Sequence, residues 1–181
     1  MSITKDREKT AYDALAEQFG FTSRMQGPRI EKVVVSSGVG KKRDKKTIEF
    51  IEERLAEITG QKAAPRAARI SIASFKVREG DTVGLQVTLR GARMFDFLDK
   101  LIHIALPRTR DFRGLSPKAI DDMGNLTIGI KESTIFPEVG EEDLKDVFGL
   151  AVTIVTTAKN KAEAEAFFRH IGVPLKATEA K

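Results

Sequence analysis

Three segments of the chain alternate apolar residues with polar or small ones, which is the pattern of a β-strand that buries one face. They span residues 82–90, 126–131 and 150–157. A β-branched segment from Ile30 to Val35 predicts a further strand, which closes in a glycine turn at residues 36–40. Because helical patterns lie between these segments, we expect an α+β fold with a mainly antiparallel sheet. Helices should pack on one face and leave the other face open.

The sequence also predicts four helices and where three of them end. Apolar residues recur at helical spacing over residues 12–19, 48–58, 94–102 and 164–171. Gly20, Gly60 and Pro107 predict where the first three of these helices end. With 181 residues and no linker-like segment, the chain predicts a single domain over residues 1–181, with a short flexible C-terminal tail after Pro174.

The composition narrows the class of protein. The chain contains no cysteine, which excludes disulfides and thiolate metal sites and fits a reducing compartment. No apolar run approaches the roughly 20 residues that span a bilayer, and residues 1–9 lack the apolar stretch of a signal peptide. We therefore expect a soluble cytoplasmic protein with no membrane partner.

The net charge is concentrated in one segment. Residues 62–93 contain seven basic and two acidic residues, so this segment carries +5, and the whole chain also carries +5. A surplus confined to one segment predicts one positive surface that attracts phosphates. The alternative is a basic face that is only solvated.

The residues predicted to face outward from the strands are small and mostly uncharged. In segment 82–90 the outward residues are Gly84, Gln86, Thr88 and Arg90. In the other strands they include Ser36, Gly38, Thr127, Gly129, Lys131, Ala151, Thr153 and Thr157. Glycines let another backbone approach closely, and hydroxyls bond the 2′-OH groups and phosphates of folded RNA. Since none of these positions is aromatic, we expect recognition of structured rather than single-stranded RNA, with a plain solvated sheet as the alternative.

Three local stretches leave alternatives open. The basic run at residues 41–46, which contains the candidate helix N-cap Asp44, is either a phosphate patch or a solvated run. The acid-free stretch over residues 66–78 holds Phe75 among four bases, either as a local anchor or as a contact to a nucleotide. The acidic stretch at residues 138–146 should repel RNA, and it could cap a short helix or meet a basic protein.

No motif predicts catalysis or a metal site. Residues 38–41 suggest a phosphate loop, but Val35 and Lys42 stand where that motif needs Gly and Ser or Thr. His103 and His170 lie far apart in separate candidate helices, without metal-ligand neighbours. We therefore expect no enzyme activity, no cofactor and no metal. An enzyme whose site is assembled only by folding and a protein–protein adaptor remain as alternative hypotheses.

Ten stretches, in order along nearly the whole chain, resemble one protein family. They are Met25-Gln26, Pro28-Arg29-Ile30, Gly38-Val39-Gly40, Gly60-Gln61-Lys62, Phe75-Lys76-Val77-Arg78, Val87-Thr88-Leu89-Arg90-Gly91, Pro107-Arg108, Arg110-Asp111-Phe112-Arg113-Gly114-Leu115-Ser116, Ile135-Phe136-Pro137-Glu138 and Thr156-Thr157-Ala158-Lys159. The chain resembles the bacterial large-subunit ribosomal protein five family, which binds 5S rRNA.

The resemblance implies a ribosome-bound structural protein in the central protuberance of the large subunit, among other large-subunit rRNA and proteins. It implies a sheet docked on 5S rRNA, a contact with P-site tRNA, and a bridge to a small-subunit head protein. The rRNA-binding residues that it implies are Ser36, Ser37, Gly38, Gly40, Gln61, Lys62, Thr88 and Arg90. The tRNA-binding residues lie in a loop over residues 69–78 and are Arg69, Ser71, Phe75, Lys76 and Arg78.

The chain departs from the usual family pattern in this region. Ser36-Ser37 replaces an Asn-Met pair, and Ser74 replaces a glycine. Ala67 and Ile70 stand where Lys or Arg is common, so the loop is less basic than is usual in the family.

Overall fold

The computed structural model describes residues 2–40, 45–139 and 147–176. Its α-helices are α1 (Ile3–Phe19), α2 (Lys45–Thr59), α3 (Ala92–Lys100) and α4 (Lys161–Ile171). Its strands are β1 (Ile30–Gly38), β2 (Ala64–Ala67), β3 (Thr82–Leu89), β4 (Leu126–Ile130) and β5 (Leu150–Thr156). The predicted α+β class is confirmed. Most of the predicted C-terminal tail and the candidate N-cap Asp44 lie outside the described residues.

The strands form one five-stranded sheet in the order β2-β3-β1-β5-β4. Strands β2 and β3 are antiparallel, with Ala64 opposite Gln86. Strands β1 and β5 also run in opposite directions. At one end the amide of Thr157 donates to the carbonyl of Arg29, and at the other the hydroxyl of Ser37 donates to the carbonyl of Gly149. The expectation of an antiparallel sheet is confirmed.

The chain divides into two compact units. The first unit comprises Met1–Val33, Arg90–Ile128 and Thr153–Lys181, and the second comprises Val34–Leu89 and Gly129–Val152. The expectation of a single domain stays a prediction.

The second unit builds its core from alternate strand residues and one helix. Leu85, Val87 and Leu89 of β3 are each at most 1% exposed. Helix α2 packs on β3 and buries the apolar stripe that includes Ile51 and Leu55. Burying such side chains contributes about 1.5–3 kcal/mol each, so this stripe fixes which face of α2 meets the sheet.

The first unit is centred on α1, α3 and α4. Phe167 and Phe168 of α4 are completely buried, and α1 packs against both α3 and α4. The predicted helix ends are confirmed, since α1 stops at Gly20, which adopts a left-handed φ of 66°. In the second unit α2 stops before Gly60, where φ is 68°. A π-helical turn, Leu101–Ala105, continues α3 and ends two residues before Pro107.

The start of α1 depends on a side chain far along the sequence. The Asp99 carboxylate accepts hydrogen bonds from the amides of Ile3 and Thr4, at 3.1 and 2.9 Å, and from the Thr4 hydroxyl. These amides belong to the first turn, where helices lack intrahelical partners. Burial raises the pKa of Asp99, but the hydrogen bonds from Thr4, Ser2 and Ile3 outweigh burial and leave this pKa below its usual value.

We expect Asp99→Asn to lower the free energy of unfolding at pH 7 by about 1–2 kcal/mol, the range for losing a helix cap. A lowered folded-state pKa stabilises the protein above the unfolded-state pKa, near 3.9, and this contribution is lost as pH falls through the folded-state pKa. The deficit of the variant should therefore shrink below about pH 4. Thermal unfolding at pH 7 and pH 3 measures it, with Asp96→Asn on the exposed side of α3 as the control. A deficit that is the same at both pH values would contradict this assignment.

Candidate nucleic-acid interface

The side chains on the outward face of the second unit are mostly small and uncharged, as the alternation of apolar and polar residues in the strands predicts. Between the buried residues of β1, β3, β4 and β5, every outward position is exposed or half-buried. These outward residues are Val34, Ser36, Gly38, Thr82, Gly84, Gln86, Thr88, Gly129 and Ala151. The first unit continues the pattern, with the hydroxyls of Thr127 and Thr153 lying 3.1 Å apart.

The interpretation of residues 36–40 as a turn is wrong for the first three of them. Strand β1 continues through Gly38, and the amide of Val39 still donates to the carbonyl of Val83 at 3.0 Å. Because β1 has a partner strand on each side, hydrogen bonds to its neighbours hold the glycine-containing end extended. Gly40 follows beside Val83 and is half-buried.

Ser37 differs from the other residues implied by the resemblance. It is 4% exposed, and its hydroxyl donates to the carbonyl of Gly149 at 2.8 Å. The side chain therefore ties β1 to the segment before β5 and does not face outward. Ser36, its half-buried neighbour, lies on the outward side.

A shallow depression crosses this face where β1, β4 and β5 lie side by side. It is lined by Ser36, Gly38, Gly129, Ile130, Lys131, Gly149, Leu150 and Ala151. Half of the lining residues are glycine or alanine, so backbone forms much of the surface. Exposed Lys131 places one positive charge at its edge.

Two glycines in this depression have no role within the described part of the protein that explains why they are glycine. Gly38 and Gly129 have ordinary φ, and a Cβ at either would meet no atom within 4 Å. By contrast, a Cβ at Gly84 would lie 3.3 Å from the carbonyl oxygen of Ser37, so the fold itself favours glycine there. Glycine within a strand costs about 0.5–1 kcal/mol relative to alanine. At positions 38 and 129, no contact inside the described protein offsets this loss of stability.

Cationic and amide side chains border the face along β2 and β3. The Gln61 amide donates to the carbonyl of Thr88 at 3.4 Å. Lys62 is highly exposed, with its ammonium 3.4 Å from the Glu52 carboxylate. Such an exposed pair is weak, so Lys62 remains available to a phosphate. Arg90, the first residue after β3, is exposed.

Strand β2 was not predicted from the sequence, and Arg66 was not among the predicted binding residues. The Arg66 guanidinium donates to the Gln86 side chain at 2.6 Å and so stands beside the outward row of β3. The strand consists of two alanines, Pro65 and Arg66, a composition that disfavours strands except at a sheet edge. The available signal was the basic segment 62–93, which contains Arg66.

The loop over residues 69–78 is exposed and hydrogen-bonded. Ile72 and Val77 pair through both of their amides, and the Ser71 hydroxyl accepts from the amide of Glu79 at 2.9 Å. The amide of Arg78 donates to the Asp81 carboxylate at 2.8 Å. The described contacts thus close the loop on itself as a small hairpin, and Arg69, Ser71, Lys76 and Arg78 are all on its accessible surface.

Phe75 at the tip of this loop is 72% exposed, and Ile70 is 71% exposed. The ring is therefore accessible to a partner, and the role of Phe75 as a local anchor or as a nucleotide contact stays a prediction. Residues 41–43 and most of the acidic stretch lie outside the described residues.

Among the described residues, no cluster of three or more acidic and histidine side chains is placed to hold a metal ion. None of the described helices has the length and apolarity needed to cross a membrane.

Comparison with known proteins identifies the family. The family model for ribosomal protein L5 matches residues 23–78, and the model for the C-terminus of the same ribosomal family matches residues 82–175. The chain belongs to the ribosomal protein L5 family. The resemblance noted in the sequence is thereby confirmed. This family is structural and non-enzymatic, so the expectation of a non-enzyme is confirmed and the enzyme alternative is wrong.

Curated members of the L5 family cover nearly the whole chain. The large ribosomal subunit protein uL5 of Anaeromyxobacter sp. (strain K) is 48% identical over 176 residues, which is 94% of this chain and 98% of that protein. The uL5 proteins of Rubrobacter xylanophilus and Streptomyces avermitilis are 48% and 49% identical over 97% and 96% of this chain, and over 99% and 94% of their own lengths.

The space around each glycine predicts how its substitution changes stability. Gly129→Val should leave the free energy of unfolding unchanged or raise it by up to about 1 kcal/mol, because valine favours strands and a Cβ meets open space. Gly124→Ala is the contrasting variant. Its φ is 80°, and a Cβ there would lie 3.0 Å from the carbonyl oxygen of Ala158, so it should destabilise. Urea unfolding of both variants measures the difference, and a clear loss of stability in Gly129→Val would contradict the analysis.

Proposed function

We propose that the protein, a structural constituent of the large ribosomal subunit, binds 5S rRNA on the outward face of its second unit. The observation that carries the proposal is the pair of glycines, Gly38 and Gly129, which line one depression without serving the fold. A glycine that the fold does not need marks a place where another backbone approaches closely. In this proposal, that backbone is a sugar-phosphate strand.

The chemistry around the depression fits a structured RNA. Double-helical RNA presents 2′-OH groups and phosphates in a shallow groove, and Ser36, Gln86 and Thr88 offer hydroxyl and amide partners for them. The outward positions of this face carry no aromatic side chain on which unpaired bases could stack. Recognition of the RNA should therefore depend on the shape of its double helix and on its sugar-phosphate backbone.

Positive charge surrounds the neutral centre of the face. Lys62, Arg66 and Lys131 are all exposed, and exposed Arg90 adds a further charge where β3 ends. Each cation that neutralises a phosphate releases a counterion, so binding through several of them falls steeply with salt. Of the residues implied by the family resemblance, Ser37 contributes through the strand that it stabilises rather than through an outward hydroxyl.

The binding of 5S rRNA to Gly129→Val tests this proposal. Added bulk in the depression should weaken binding by roughly 1–3 kcal/mol, the usual cost of overpacking a close contact. Gly129→Ala should fall between the parent and the valine variant. The affinity of the parent should itself drop by about tenfold or more between low and moderate salt.

The matched control is Ala162→Val, which adds a similar bulk to the exposed surface of α4. Equal affinities of the parent, Gly129→Val and the control would show that the face does not dock 5S rRNA. Equal affinity of the parent for an unrelated RNA duplex of the same length would contradict specificity.

We further propose that the exposed loop over residues 69–78 contacts P-site tRNA. Its cations Arg69, Lys76 and Arg78 are exposed, and Phe75 offers a ring to a nucleotide. The family resemblance also supports a cytoplasmic, ribosome-bound protein in the central protuberance, with a bridge to a small-subunit head protein.

Replacing Arg69, Lys76 and Arg78 with Ala should separate the two RNA contacts. The backbone hydrogen bonds that close the loop remain, so the variant should fold and bind 5S rRNA with nearly parental affinity. Large subunits that contain it should release P-site tRNA a few-fold faster, because three exposed positive charges are lost. Dissociation of labelled tRNA measures this, with Lys5, Lys9 and Lys161 changed to Ala as the control. A collapse of 5S rRNA binding with unchanged tRNA release would reassign the loop.

A further inference from the structure

A cavity of about 300 Å³ lies in the first unit, between α1 and the segment that leads into β1. It is lined by Glu8, Lys9 and Tyr12 of α1 and by residues 24–29 of the segment, except Gln26. This segment contains two of the stretches that carry the family resemblance, and neither of the RNA contacts proposed above uses them. The cavity therefore needs a separate explanation.

The two walls of the cavity are held together by the protein itself. The amide of Ile30 donates to Oε1 of Glu8 at 2.7 Å, and the Arg24 guanidinium donates to a carbonyl of α1 at 3.4 Å. Gly27 is buried, and a Cβ there would lie 3.4 Å from the Cβ of Tyr12, so glycine lets the segment pass close to the helix. The cavity is thus built into the fold and does not depend on a ligand to form.

Polar groups inside the cavity retain hydrogen-bonding capacity. Glu8 is half-buried, and burial raises its pKa, although the hydrogen bond from Ile30 and the positive charges of Arg29 and Lys5 lower it. Oε2 of Glu8 and the hydroxyl of Tyr12 form no hydrogen bond with any described residue. A carboxylate oxygen removed from water in this way favours a ligand that donates to it.

Positive charge surrounds this carboxylate. Lys9, Arg24 and Arg29 are exposed, so with Glu8 the lining carries a net charge of +2. Arg29 lies against the uncharged sulfur of Met25 at 3.1 Å, and Lys9 forms an exposed ion pair, which is weak. These cations would repel a basic side chain of a protein partner. The cavity fits a ligand that combines hydrogen-bond donors with negative charge.

We propose that this cavity binds a free guanine nucleotide, with the base donating to Glu8 and the phosphates on Arg24 and Arg29. Guanine carries two neighbouring donors on its pairing edge, N1–H and the N2 amino group, and an ionised carboxylate only accepts. Arginine binds phosphate through paired hydrogen bonds. The ring of Tyr12 and the exposed side chain of Met25 supply apolar surface for the base.

The other bases match the carboxylate less well. Adenine and cytosine place an acceptor beside their amino group, and uracil has a single donor between two acceptors, so each would bring an acceptor to Glu8. A guanosine within double-helical RNA is a poorer occupant than a free nucleotide, because it would first have to leave its pair and its stack. The volume of the cavity is at the lower end of the range for small-molecule sites, about 300–1,000 Å³.

Calorimetric titration of the full chain with guanosine diphosphate (GDP) and adenosine diphosphate (ADP) at low salt tests the proposal. GDP should bind about tenfold or more tightly than ADP, because ADP loses hydrogen bonds to a charged group. Glu8→Gln should lower the affinity for GDP by about tenfold and leave that for ADP unchanged or higher. The glutamine keeps an oxygen that can accept from the amide of Ile30, so the fold should persist. Glu17→Gln, at an exposed position of α1 outside the cavity, is the matched control.

A second variant tests the phosphate contacts independently of Glu8. Changing Arg24 and Arg29 together to Ala should weaken GDP and ADP by a similar factor of about tenfold and reduce the salt dependence of binding, because both ligands lose the same charge-assisted hydrogen bonds. Guanosine, which has no phosphate, should bind this variant as it binds the parent. The control changes Arg93 and Arg113, which are exposed and do not line the cavity, and thermal unfolding confirms that each variant is folded.

Several results would overturn the proposal. They are an absence of GDP binding to the parent, equal affinities for GDP and ADP, and a loss in Glu17→Gln as large as that in Glu8→Gln. Tighter binding of a short single-stranded RNA with one guanosine than of GDP, abolished by Glu8→Gln, would assign the cavity to RNA instead. None of these measurements uses 5S rRNA, so their outcome is independent of the function proposed above.

Discussion

Burial of alternate side chains along β3 and β1 determines which residues of these strands are exposed. Val33, Val35, Leu85, Val87 and Leu89 are all at most 1% exposed. A slip of one residue would turn this whole set outward, so the core fixes the register. The intervening residues then have only one face left to occupy. The core thereby determines which residues form the proposed binding surface, and a change that shifts the register would disrupt the core and this surface together.

Sequence reasoning succeeded where local patterns and tertiary burial agree. The alternation in β3 and the glycine after α1 were sufficient to predict the strand and the end of the helix. In both cases the local residue pattern directly reflects which side chains are buried or which backbone conformation is needed. It failed at β2, where pairing with β3 overrides the poor strand preference of alanine and proline. The hydrogen bond from the Ser37 hydroxyl to the carbonyl of Gly149 could not be predicted either, because the two residues are far apart in the sequence. The sequence could not show that the fold leaves room for a side chain at Gly38 and Gly129. That conclusion depends on which atoms surround each position in three dimensions.

The contacts that hold α1 have a consequence for synthesis on the ribosome. The first turn is capped by Asp99, and Arg7 donates to the carbonyl of Ile171 at 2.7 Å, so α1 is completed by residues translated long after it. Helices in proteins gain most of their stability from tertiary packing, and α1 lacks that packing until those residues have been made. The nascent N-terminus should therefore wait, largely unprotected, until almost the entire chain has left the exit tunnel. Helix α2 and strands β2 and β3 of the second unit lie close together in sequence, so they can pack on one another while that wait continues.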